Sequence, residues 1–127
     1  MRNDKKNLIV ELTFEFALVI IEFTELLEDK RRYNMANQLF RSGTSIGANV
    51  REAQNAESKA DFIHKMKIAA KEADETTYWL LLCHHSKNYP DPGILMTKIE
   101  SINKVMSKII SSSKTMTKTS SSNFQIN

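Results

Sequence analysis

The feature that most constrains this chain is how little punctuation it carries. Its 127 residues hold three glycines and two prolines. Apart from Gly43 and Gly47, these residues sit together in Tyr89-Pro90-Asp91-Pro92-Gly93. An average chain carries roughly 12% of the two types together. A chain this poor in them cannot supply the tight turns that a many-stranded sheet demands. Long helices joined at a few breaks are what remains, and 127 residues make one domain.

The hydrophobic spacing agrees. Leu8, Leu12, Phe16, Val19, Phe23 and Leu26 recur at steps of four and three, the helical period. The pattern predicts a first helix over about 4–29, ending in the charged run Glu28-Asp29-Lys30-Arg31-Arg32. Asn34 is then a candidate cap for a second helix over about 35–56. Ser58 followed by Asp61 has the form of a capping box, which starts a third helix near 59 and carries it to about 87. Asp91 and Pro92 read as the cap and first-turn proline of a fourth helix ending near 111. The polar Ser, Thr, Lys and Asn residues beyond it show no apolar period, so 112–127 is expected to be a disordered tail. The predicted architecture is all-α: an up-down-up-down four-helix bundle over 1–111, followed by that tail.

Charge sharpens the division. The formal net charge is +3. Residues 1–57 carry −1, residues 58–93 are neutral, and residues 94–127 carry +4. Lys98, Lys104, Lys108, Lys114 and Lys118 supply that excess and are the candidate contacts for nucleic acid. A single cysteine excludes an internal disulfide framework. The apolar runs Phe16 to Ile21 and Tyr78 to Cys83 are far shorter than the ~18 to 20 residues that cross a bilayer. The start also lacks the apolar core of a secretory signal, so the expected compartment is the cytoplasm and no membrane partner is expected.

The helix faces point to assembly. On helix one, Leu8, Leu12, Phe16, Val19, Ile20, Phe23, Leu26 and Leu27 form a broad core stripe. Val10, Phe14, Ala17 and Ile21, flanked by Leu18, form a second stripe. A bundle monomer buries one face of an outer helix, so the second stripe predicts a subunit contact. Helix two carries a lean apolar line of Leu39, Gly43, Ile46, Val50 and Ala53 beside a polar line of Gln38, Arg41, Ser42, Ser45, Asn49 and Glu52. Helix three answers with Lys65, Glu72 and Glu75. Antiparallel pairing sets Arg41 level with Ala73, between the carboxylates of Glu72 and Glu75, and Asn49 level with Lys65.

Chemical motifs are few. Gly43-Thr44-Ser45-Ile46-Gly47 has the letters of a nucleophile elbow, but that motif needs a sharp strand-to-helix turn and the flanks here are helical. Cys83, His84 and His85 are consecutive, about 100° apart on a helix, and do not converge on an ion. Glu72 and Glu75 lack the Glu-x-x-His partner of carboxylate bundles, and His64 is two turns away. Tyr78 and Trp79 read as core or interface anchors. No cofactor, metal, catalytic residue or small-molecule substrate is predicted.

The run from Arg41 to Leu80, RSGTSIGANVREAQNAESKADFIHKMKIAAKEADETTYWL, resembles the bacterial four-helix bundle proteins encoded in 23S rRNA intervening sequences. Gln38, the string Arg41 to Asn49, Glu52-Ala53, Ser58 to Phe62 and Lys71-Glu72-Ala73 all stand in the family's order, and a looser likeness spans about 7–111. The resemblance implies a left-handed bundle, a homopentamer with a central opening, and no known catalytic activity. The fold is also similar to that of retroelement accessory proteins, whose basic pentamers bind nucleic acid and a reverse transcriptase. RNA or a reverse transcriptase is therefore the partner class this second likeness implies. The first 93 residues, at −1 net, do not support a basic barrel.

Overall fold

The computed structural model describes the backbone of residues 7–126 and the side chains of residues 7–114. Four helices follow one another: α1 Leu8–Asp29, α2 Tyr33–Gln54, α3 Lys59–His85 and α4 Ile94–Ile126. No strand occurs among the described residues. Each helix packs on its chain neighbours and α4 closes back on α1, giving a four-cornered bundle.

The helix ends follow local chemistry. Asn7 caps α1, accepting from Val10 N at 3.4 Å. The turn into α2 contains no glycine, and Arg31 takes the left-handed seat at φ 61°. Around it Arg32 N donates to Leu27 O at 2.8 Å and Arg31 N to Glu28 O at 2.9 Å, closing the last carbonyls of α1. Arg32 occupies the N-cap position of α2 without a side-chain cap, so Asn34 lies inside the first turn instead of capping it. At α3, Ser58 Oγ accepts from Asp61 N at 3.0 Å and the Asp61 carboxylate accepts from Glu57 N at 3.2 Å. The Glu57 N–H holds the Asp61 carboxyl below its ordinary value, with Lys65 adding to the effect.

Before α4, Asp91 accepts from Gly93 N at 3.0 Å and meets His84 Nδ1 at 2.8 Å. Gly93 sits at φ 57°, where a side chain is strained, so α4 begins at Ile94 rather than at Pro92. The backbone of α4 is helical past the boundary expected near residue 111, through Ile126. No Gly or Pro follows Gly93 to stop it, and Ser and Thr only weaken a helix. The side chains of 115–127, where most of the predicted tail falls, lie outside the described residues.

The core is built from Phe16, Ile20, Leu39, Ile46, Met66, Leu80, Leu95, Ile102 and Met106, all nearly fully buried. On α1 the buried line is Ile9, Thr13, Phe16, Ile20, Phe23 and Leu27. Leu8 and Leu26, expected inside, are 54% and 40% exposed. Two threonines account for the shift. Thr13 Oγ1 donates to Ile9 O at 2.8 Å and Thr24 Oγ1 to Ile21 O at 3.0 Å, so both are buried with their hydroxyls satisfied.

Candidate functional site: a polar seam and an apolar groove flanking helix two

Two stripes of α2 flank its core line, one turned to α3 and one to α1. The first holds the predicted pairing residues. Ser42 is fully buried and its Oγ lies 2.9 Å from Thr76 Oγ1, which in turn reaches Glu72 O at 2.7 Å. The two hydroxyl protons serve both contacts if Thr76 donates to the carbonyl and Ser42 to Thr76. Arg41 reaches Glu75 at 3.6 Å, two residues further along α3 than its expected level with Ala73.

The expected clamp between Glu72 and Glu75 is not made. The Arg41 side chain is 63% exposed, its Nη2 donates to Gln38 Oε1 at 2.7 Å, and Glu72 Oε1 is buried without a hydrogen-bond partner among the described residues. Glu75 also accepts from Trp79 Nε1 at 3.2 Å. Ser45 Oγ donates to Arg41 O and Asn49 Nδ2 to Ser45 O at 2.9 Å, so both are tied within their own helix. Lys65 pairs with Asp61 at 3.4 Å rather than with Asn49, and Glu52 is exposed. The Ser45 hydroxyl is thus spent on a helix carbonyl. Burial pushes the Cys83 thiol up to about 11.

The glycines of this motif serve α1. A Cβ at Gly43 would stand 2.9 Å from Ile20 Cγ1 and Cδ1, and one at Gly47 would stand 3.3 Å from Thr13 O. Their absence lets α1 and α2 approach closely.

That close approach shapes the second stripe. Phe14, Leu18 and Ile21 of α1 are 52%, 50% and 36% exposed, and Phe40 of α2 is 48% exposed beside them. Phe14, Ala17, Thr44, Gly47 and Ala48 line a depression of about 170 Å³. Ile21 and Phe40 line a second, of about 370 Å³, whose rim carries Glu25 and Glu28. Of the five residues predicted for a subunit contact, Phe14, Leu18 and Ile21 are exposed and Ala17 is half-buried. Val10, at 4% exposure, belongs to the core and lines the floor side of the first depression without offering exposed surface. Phe40 was not singled out in the sequence, although Phe40, Thr44 and Gly47 share one helical strip beside the core line.

The lysines of α4 do not share a face. Lys104 and Lys108 lie on one strip, with Lys104 3.6 Å from Glu100. Lys114 is about 120° round the helix from Lys108 at 3.6 residues per turn. It adjoins Lys67 of α3, whose pKa it lowers. Lys98 is half-buried, and the side chain of Lys118 lies outside the described residues. No helix among the described residues is long and apolar enough to cross a membrane.

A family model described as 23S rRNA-intervening sequence protein matches residues 5–117, nearly the whole bundle. The chain belongs to the 23S rRNA-intervening sequence protein family. A crystal structure at 1.70 Å of a protein with unknown function from the S23 ribosomal protein family of Bacteroides thetaiotaomicron is 40% identical. It covers 80% of this chain and 97% of its own, with a TM-score of 0.76. No curated protein matches. Within this intervening-sequence protein, the Arg41 to Asn49 string that carried the resemblance is in large part packing: Gly43 and Gly47 admit α1, and Ser42 joins α3.

Proposed function

We propose that this chain is a non-enzymatic assembly module that closes into a homo-oligomer through the α1/α2 groove. Five is the subunit number the family resemblance implies. One observation carries the reading: Phe14, Leu18 and Ile21 on one strip of α1, and Phe40 of α2 in the same depression as Ile21, are large exposed hydrophobes outside an already complete core. Single exposed hydrophobes are ordinary, but a run of large ones spanning two helices and rimmed by charge marks an interaction surface. The polar seam then acts inside the protomer, fixing α3 against α2 so that the groove keeps its shape. Light scattering at micromolar concentration tests the reading. The expected mass is a multiple of 14.6 kDa, and a mass of one chain contradicts it.

A further inference from the structure

A ring needs two different surfaces per subunit, because one patch meeting its own copy closes a dimer and stops. The groove supplies one surface. The second is on α3, diagonally across the bundle from α1, where Tyr78, Leu81 and Leu82 are 56%, 39% and 36% exposed. These three form a short apolar ridge directed away from the groove. Resting on the assembly reading above, we propose that the α3 ridge of a second copy of this chain occupies the α1/α2 groove, with α3 antiparallel to α1 and Tyr78 level with Leu18.

Charge selects this occupant and direction. The groove is acidic at the C-terminal end of α1, where Glu25, Glu28 and Asp29 are exposed. The ridge is basic toward the N-terminal end of α3, where Lys67 and Lys71 are exposed. Among the described residues, Glu25, Asp29, Lys67 and Lys71 form no ion pair within the chain. With Tyr78 on Leu18, the spacings match. Lys71 lies seven residues before Tyr78 and Glu25 seven after Leu18, about 10.5 Å in each case. Lys67 and Asp29 are each eleven residues out, about 16.5 Å. Toward the other end, Leu82 and Phe14 come level, each about 40° to opposite sides of the contact line, and flank the apolar contact. Asp74 and Glu22 also fall level but lie about 40° to opposite sides of the contact line. Lys67 gains most from an incoming carboxylate, since its neighbour within the chain is the like-charged Lys114.

Single-cysteine variants test the pairing in the full chain. Cys83 is 1% exposed with its thiol held protonated, so it can stay in place. Leu18→Cys and Tyr78→Cys are made separately, mixed, allowed to exchange subunits and oxidised with copper phenanthroline. The expected result is a covalent dimer from the mixture, none from either variant alone, and a ladder of higher species from the double variant. Lys71→Glu should weaken assembly at least tenfold, and adding Glu25→Lys should restore most of it. A Leu18→Cys dimer without its partner shows groove meeting groove and overturns the proposal. So does an oligomer by light scattering with no crosslink in the mixture, which leaves the assembly reading standing. A monomeric wild type overturns both.

Discussion

Gly43 and Gly47 look alike in sequence yet differ in what surrounds them. The missing side chain at Gly43 faces three atoms of the fully buried Ile20 within 3.0 Å, whereas Gly47 faces Thr13 at 3.3 Å. Alanine in a helix gains about 1 kcal/mol over glycine. Overpacking a core costs about 1 to 3 kcal/mol. Gly43→Ala should therefore lose up to about 2 kcal/mol of stability in urea unfolding, with Gly47→Ala closer to neutral or slightly stabilised; the reverse order would contradict this packing. Arg41 carries the opposite lesson. With 63% of its side chain exposed and a 3.6 Å contact to Glu75, it is a solvated bridge. Arg41→Met should shift stability by no more than about 0.5 kcal/mol, a change similar to that from Lys30→Met. A loss of several kcal/mol would show a buried pair. Sequence spacing set these side chains on the correct face, but how far a long side chain leans into solvent is decided by register, and α3 sits two residues along from its expected level. Phe40 escaped the sequence reading for a related reason: an aromatic next to a core line reads as core until the neighbouring helix is placed.

Most of the helix layout was legible because each break has its own chemistry. Ser58 and Asp61 reveal the start of α3, and the Pro90 to Gly93 segment the end of the α3 to α4 connection. The α1 to α2 turn was harder to place because no glycine marks it. Arg31 holds a left-handed conformation that costs a non-glycine residue roughly 1 kcal/mol. Arg31→Gly is expected to raise stability by about 0.5 to 1 kcal/mol in thermal or urea unfolding, offset in part by the freer unfolded chain. A destabilised variant would mean that the Arg31 side chain makes contacts worth more than the strain. The buried line of α1 was shifted from expectation because Thr13 and Thr24 hide their hydroxyls against their own helix, which polarity scales do not register. Beyond residue 111 the polar composition carries no stop signal, and the α4 backbone continues.

At the scale of the whole molecule, the bundle closes its core within one chain and still leaves an apolar groove on α1 and α2 and an apolar ridge on α3. Neither surface is needed to complete the fold, and this excess is the physical ground for assembly. Phe14 lines the groove at 52% exposure, so a charge there leaves the core untouched. In an interface the same charge would be desolvated, at a cost of several kcal/mol unless it found a partner. The decisive measurement is light scattering on wild type and Phe14→Glu at matched micromolar concentration, with circular dichroism of both. The account predicts an oligomeric wild type, a Phe14→Glu protein at or near the mass of one chain, and equal helicity; a wild type already monomeric, or a Phe14→Glu protein that keeps the full assembly mass, would contradict it.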